Sequence, residues 1–349
     1  MTTRSGAAAA AGTAALALVA GLTACGPAET GPTVTVYSAD GLRNEEGTGW
    51  YDELFAEFEA ETGISVQYVE GGSGEMVQRA ARERSNPQAD VIVTLPPFIQ
   101  QADGLDLLQE YVPEGAEHVE TKDPNGRWTS IVDNYFCLIH NTEELPEPPA
   151  TWEDLLDPRF EGRLQYSTPG VAGDGTAVVI QAVHDFGGLE PAMDYLGELQ
   201  TNNVGPSSST GALGPKVDKG ELLVANGDVQ MNYAQSRTMP DIGIWFPAVE
   251  EGGDPATFAL PYTAGLLTGA PNADNGRALI DFLLSESAQS RVAPVAGGFP
   301  ARGDVEPEGE EAEELAALLE GVTVFEPDWE VVEAELPTYL DAWEQATGG

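Results

Sequence analysis

Cysteine, histidine and lysine are scarce in this chain, and each scarcity closes off a class of protein. Two cysteines, Cys25 and Cys137, cannot build a disulfide scaffold. Three histidines, His118, His140 and His184, leave little for a zinc or haem site. Only Lys122, Lys216 and Lys219 are lysines, and 15 basic side chains face 58 acidic ones, a formal net charge of −43. Nucleic acid, itself a polyanion, would be repelled at every approach and is excluded as a partner. Long apolar runs are equally few. One stretch, Ala7 to Leu22, stands out, which excludes a multi-span transporter. Apolar and aromatic material is plentiful instead, at 42% hydrophobic with 6 Trp, 11 Phe and 10 Tyr. The acidity is therefore no mark of disorder, and 349 residues suit two domains better than one core.

The apolar run has the form of an export signal. Arg4 precedes it, and Leu22-Thr23-Ala24-Cys25 closes it with small residues before a cut. That ending resembles a bacterial lipobox, in which Cys25 carries the lipid and becomes the mature N-terminus. A plain signal peptide or a short membrane anchor is the alternative. Residues 1–24 are then the signal and 25–32 a tether, because Gly and Pro prevent regular structure there. Residues 1–24 hold Arg4 as their one charge, so the acidic excess lies on the exported part and suits saline surroundings. Cys137, in an apolar strand-like run, reads as a buried small hydrophobe.

From Thr33 onward, strand and helix patterns alternate. Thr33–Ser38 is β-rich. Trp50, Tyr51, Leu54, Phe55 and Phe58 recur at helical spacing until Gly63, and Ile64, Val66 and Tyr68 alternate as a strand. A helix carrying Met76, Val77 and Ala80 follows, and Ala89–Leu95 fits a buried parallel strand. This order predicts a parallel sheet with helices on both faces. Tyr135–His140 begins a second set: strands at 163–167, 222–225, 229–233 and 242–246, and helices at 176–186 and 191–200. Leu266–Thr268 and a helix over 273–287 resume the first set. Glu306–Glu314 reads as a solvated loop or helix start, and 329–343 as a closing helix interrupted at Pro337.

Two strand-to-helix loops are rich in Gly and hydroxyls: Glu70–Glu75 and Ser167–Thr176. Each opens a helix, whose first N–H groups lack partners and carry the positive end of the dipole. Glycines there let backbone approach an oxyanion, and hydroxyls add donors. The candidates are Gly72, Ser73 and Gly74 in the first loop and Thr168, Gly173, Asp174, Gly175 and Thr176 in the second. The alternative is that both loops are plain turns, with Ser73 or Thr176 capping and Asp174 facing solvent. Ser38, Asp40 and Thr94 gather at the same strand ends, as do Tyr135, Ser209, Asn232 and Tyr233. Asp40 would attract an ammonium; as a turn former before Gly41 it would need no ligand.

Enzyme motifs fail. Gly71-Gly72-Ser73-Gly74-Glu75 lacks the last glycine of a hydrolase nucleophile elbow. There is no Gly-Lys-Ser/Thr phosphate loop and no His-Glu-x-x-His. Carboxylate pairs such as Glu45-Glu46 are what 58 acids give by chance. Neither catalysis, cofactor nor metal is expected.

At Tyr37–Leu42, Gln67–Gly74, Asn86–Val91, Thr94–Gln100, Gln165–Thr176, Asn202–Ser207, Val224–Asn232 and Leu260–Tyr262 the chain resembles the class II solute-binding proteins of ABC importers. The branch is the one shared with ferric-ion and polyamine binders, with 2-aminoethylphosphonate binders the nearer match. The resemblance runs from about Thr33 to Pro271. It implies an α/β fold of two lobes, 33–134 plus 262–349 and 135–261. The ligand cleft lies between them, and two crossovers near 134–139 and 246–262 form the hinge. It implies capture of 2-aminoethylphosphonate outside the cell membrane, with the permease as partner, a lipid anchor on Cys25 and a monomer. The phosphonate would meet Ser73, Gly74, Thr168, Gly175 and Thr176, and the ammonium Asp40 with Tyr135 or Tyr233. Another small solute, such as ferric ion, a polyamine or a phosphate ester, is the alternative. Ferric binders of the branch use adjacent tyrosines, whereas Asn232-Tyr233-Ala234 has one. Replacement of the lipobox cysteine tests the anchor: Cys25→Ala should move the protein from the membrane to the soluble fraction on cell fractionation. Retention at the membrane would remove the lipobox reading.

Overall fold

The computed structural model describes residues 31–44 and 47–348. The export signal, Cys25 and most of the tether lie outside the described residues, as does the Glu45-Glu46 pair. Among the described residues no helix is long and apolar enough to cross a membrane.

Two sheets organise the chain. The larger runs Phe299–Pro300, Trp128–Asp133, Tyr262–Leu267, Val91–Thr94, Thr33–Ala39, Ser65–Gly71, with Leu108–Gln109 also on Tyr262–Leu267. Its centre is built as the sequence pattern predicts: Thr33–Ala39 pairs in parallel with both Ser65–Gly71 and Val91–Thr94. The helix between the first two strands, Trp50–Thr62, buries Trp50, Tyr51, Leu54, Phe55 and Phe58. It ends where Gly63 takes φ 72° and donates its N–H to Glu59 O, a left-handed cap that any side chain would strain. The sheet is not wholly parallel. Tyr262–Leu267 runs antiparallel to Val91–Thr94 because it returns from the other sheet rather than through a helix.

The smaller sheet runs Leu164–Gln165, Val224–Asp228, Phe136–Asn141, Ile242–Trp245. Residues 229–233 do not form a further strand. The strand stops at Asp228, whose carboxylate accepts the N–H of Met231 and so caps a helix, Val229–Ser236. Asn232 and Tyr233 are thus helical, not strand-terminal.

The chain passes from one sheet to the other at Asn134–Tyr135 and returns at Ala259–Pro261, and the two crossings lie side by side. Tyr135 bridges Ala259, and Leu260 donates its N–H to Asn134 O at 2.8 Å. Two sheets joined by two adjacent crossings give the chain a two-lobed α/β architecture.

The last helix, Trp329–Thr347, is continuous through Pro337. The lost backbone hydrogen bond is outweighed by burial of Leu336, Tyr339 and Trp343 on either side. This helix touches both sheets' surroundings. Leu336 joins the cluster of Tyr37, Met76, Val77 and Phe98 beside the larger sheet. Trp343 Nε1 donates to Tyr166 OH at 3.0 Å beside the smaller one. The acidic stretch before it becomes helical at Glu310–Leu318. Leu336 is 1% exposed, so Leu336→Ala should cost about 2–5 kcal/mol in denaturant unfolding. A loss below 1 kcal/mol would mean the helix is not packed as described.

Candidate functional site

The glycines of the two loops are there because the loops meet. Gly74 donates its N–H to Val171 O at 3.0 Å, joining the start of the Ser73–Glu83 helix to the turn before the Gly173–Asp185 helix. A Cβ on Gly72 would collide with Val171 O, one on Gly74 with Gly170 O, and one on Gly173 would lie 2.7 Å from Ser73 Oγ. Gly175 is closed off by Ser167 O. Side chains at Gly72, Gly74 and Gly173 would hold the loops apart, and one at Gly175 would distort its own loop. Ser209 makes a second junction: its hydroxyl donates to Asp40 Oδ2 at 2.7 Å, and Gly211 N–H donates to the same oxygen at 3.1 Å.

Behind the junctions stand three acids from three segments. Asp40 follows the first strand, Asp174 sits in the first turn of its helix, and Asp228 ends Val224–Asp228. Asp174 is 2% exposed and Asp228 0%. None of the ion pairs among the described residues involves them. Burial without a countercharge favours the neutral acid. It raises Asp40 above its ordinary range and pushes Asp228 up to about 7. Asp174 rises well above its ordinary range, through burial first and then the neighbouring charges of Asp228 and Asp40. Asp174 Oδ1 and Asp228 Oδ2 have no hydrogen-bond partner among the described residues. Neither have the hydroxyls of Tyr51 and Thr94, the Asn134 amide nitrogen or Gln230 Oε1. Among the described residues no three His, Cys, Asp or Glu side chains stand together as a metal site.

The other candidates divide by what their polar atoms already do. Ser38 is fully buried and donates to Ala39 O at 2.8 Å. Ser73 Oγ and Thr168 Oγ1 each accept a backbone N–H, from Leu95 and Ser207, and keep a proton to give. Thr176 spends its hydroxyl on Ala172 O while accepting from Gly170 N–H. It acts as a loop brace, and with Gly74 N–H engaged as well, neither donor is free in this conformation. Asn232 holds Asp228 N–H and Gln235 Oε1. Tyr233 turns away, its hydroxyl donating to Glu314. Tyr135 sits at the crossing, edge-on to Phe299 at 5.3 Å. The structure thus gathers Ser38, Asp40, Ser73, Thr94, Thr168, Asp174 and Ser209 around the strand ends, and leaves Tyr233 on the outer side of its helix.

Asp228, Asn134, Tyr51 and Tyr262 carry polar groups at the same centre that sequence spacing did not single out as binding residues. Tyr262 OH donates to Asp40 O at 2.9 Å. A signal for Asp228 exists: an acid that ends an apolar strand and precedes a helix is either a cap or a site residue, and here it is placed for both.

A cleft between two α/β lobes, closed by backbone-to-backbone loops over buried polar groups, defines a solute-binding protein. Residues 43–290 match the family of bacterial extracellular solute-binding proteins, and the chain belongs to that family. It is 47% identical over 324 residues, 93% of this chain and 95% of the other, to a periplasmic protein of Salmonella typhimurium carrying the provisional name 2-aminoethylphosphonate-binding. Among solved structures it is similar to the periplasmic binding protein P5PA, with TM-score 0.77 at 20% identity, covering 90% of this chain and 99% of that one. It is similar also to AfuA of Actinobacillus pleuropneumoniae with fructose-6-phosphate bound, with TM-score 0.76 at 21% identity, covering 91% and 99%.

Gly74→Ala should break the Gly74–Val171 junction and enlarge the radius of gyration in small-angle scattering, with an unchanged circular dichroism spectrum. An unchanged radius would show that the loops do not set the closed geometry.

Proposed function

We propose that the protein captures 2-aminoethylphosphonate outside the cytoplasmic membrane and delivers it to the permease of an ABC importer. One observation carries this reading: the buried centre has acceptors without partners, Asp174 Oδ1 and Asp228 Oδ2, together with donors without partners, Tyr51, Thr94 and Asn134. A zwitterion with an ammonium at one end and a phosphonate at the other complements both kinds. The name of the Salmonella relative points to the same cargo.

In this reading the ammonium lies against Asp174 and Asp228, with Asp40 adding negative potential from the first strand. The phosphonate takes the free protons of Ser73, Thr94 and Thr168 near the starts of the Ser73–Glu83 and Gly173–Asp185 helices. Gly72, Gly74, Gly173, Gly175, Thr176 and Ser209 serve it indirectly by letting the loops close. Residues 33–134 with 262–349 form the first lobe and 135–261 the second, the final helix strapped across both. Cys25 bears the lipid that holds the receptor, a monomer without catalytic activity, at the outer face of the membrane.

Calorimetry checks the cargo. 2-Aminoethylphosphonate should bind, and ethylphosphonate, which lacks the ammonium, should bind at least about 100-fold more weakly, as loss of a charged hydrogen-bonding group implies. Asp174→Asn should weaken the zwitterion by about 10- to 100-fold and ethylphosphonate little. No heat with 2-aminoethylphosphonate, or tight binding of putrescine in its place, would overturn the assignment.

A further inference from the structure

Asp40, Asp174 and Asp228 lie within reach of one another's charge, and among the described residues none of them forms an ion pair. Asp40 Oδ2 receives Ser209 Oγ and Gly211 N–H, and Asp228 Oδ1 receives Met231 N–H. Asp174 Oδ1 and Asp228 Oδ2 have no partner in good hydrogen-bond geometry among the described residues, while the Thr210 hydroxyl facing Asp174 and the Asn134 amide and Tyr262 hydroxyl facing Asp228 partly offset the rise that burial causes. The titratable groups facing the three acids from the surrounding elements make the imbalance worse. Tyr262, fully buried, feels all three, and Cys137 feels Asp228 and Asp174. Glu70, at the end of the second strand, adds another acid beside Asp40 and Tyr68. The Arg43 guanidinium acts on Glu70 but makes its own ion pair with Asp52. Buried carboxyls that feel one another's charge without an ion pair cannot all ionise, and the simplest way to remove a charge is a proton on one of them.

Building on the cargo reading above, we propose that ligand capture is proton-linked: the incoming ammonium replaces a proton carried by Asp174 or Asp228, both buried with an unpartnered oxygen and no ion pair among the described residues, and that proton leaves to solvent. The exchange is balanced, one positive charge entering as one departs. It also makes the pair a selectivity device, because a ligand without an ammonium must bind against the proton instead of displacing it.

The sign follows from linkage. These acids are raised, so they hold protons in the range where free carboxyls have lost them, from the ordinary carboxylate range up to about 7 for Asp228. The ligand-bound state holds fewer protons, so affinity rises with pH through that window and falls as the pH is lowered. Each proton released contributes about one tenfold step in affinity per pH unit. A phosphonate titrates in part of the same range, so the protein's share has to be isolated by a variant. Asp228→Asn serves well, since Asn caps a helix as well as Asp does while removing one titrating group.

The test is calorimetry of the full exported chain with 2-aminoethylphosphonate from pH 5 to 8, in pairs of buffers of different ionisation enthalpy. Wild type should release more protons per ligand bound than Asp228→Asn, and the logarithm of its affinity should climb more steeply with pH, by up to about one unit per pH unit. The ligand's own contribution is common to both proteins and cancels in the difference. Asp174→Asn should lower proton release in the same way and stands in if Asp228→Asn does not fold. Binding with equal proton release in wild type and both variants would overturn the linkage and leave the cargo assignment standing. No binding by wild type at any pH would overturn the cargo assignment, and the linkage with it.

Discussion

Asn134 is the joint on which both lobes and the site depend. It is fully buried at the first crossing between the sheets. Its backbone oxygen accepts from Leu260 of the second crossing. Its side-chain oxygen accepts from Tyr135 N–H at 2.8 Å and from Gln230 N–H at 2.8 Å, the latter in the first turn of the helix that Asp228 caps. One residue therefore joins the two crossings through its backbone oxygen and sets the start of the Val229–Ser236 helix through its side chain. Gln230 continues the chain of contacts, its amide nitrogen donating to Gly41 O and Ala296 O beyond the other side of the cleft. Away from this joint, the facing loops meet through few and polar contacts.

Those separable contacts explain the composition of the loops. A clamshell needs its mouth held by bonds weak enough to break on release, so a large apolar interface there would defeat it. Gly74 N–H to Val171 O, Ser209 to Asp40 and Gly211 to Asp40 are three hydrogen bonds of that kind, each worth about 0.5–1.5 kcal/mol net. The final helix adds an apolar strap at a distance, with Leu336 in one core cluster and Tyr339 and Trp343 in another. Leu340 of the same helix lies against Gly170, whose φ of 79° leaves no room for a side chain. The strap thus reaches the very loop that closes on Gly74.

How far the sequence could be read follows from which forces are local. The parallel core of the larger sheet, the Trp50–Thr62 helix and its Gly63 stop rest on periodicity and on one glycine, and both are visible in the chain. The helix at Val229–Ser236 was hidden because Val-Gln-Met-Asn-Tyr alternates like a strand, and the deciding feature is a cap and a tertiary anchor on Asn134. Pro337 misled for a similar reason: packing partners far along the chain decide whether a helix survives one missing bond. At the site, the two glycine loops were legible as a pair, but their glycines read as ligand contacts when their steric role is loop against loop. Asp228 was lost among 58 acids.

What separates a working acid from the others is satisfaction rather than burial. Asp90 is as deeply buried as Asp228, yet its oxygens receive Thr35 N–H, Asn272 N–H and the Asn272 amide. It ties the first strand to the start of a helix and has nothing left to offer. Asp228 spends one oxygen on its cap and keeps the other unpartnered, as Asp174 does. An unpartnered buried oxygen costs about 1–3 kcal/mol, a cost that stability alone gives no reason to keep. The outer acids, by contrast, sit in water, where their net charge repels an anionic solute and screening confines the effect to about 10 Å at ordinary salt. The same residue type thus has two roles here: outside, it sets the charge of the surface in its medium; inside, at Asp174 and Asp228, the fold leaves it unsatisfied, which is the demand for a positive group on which the proposed cargo rests.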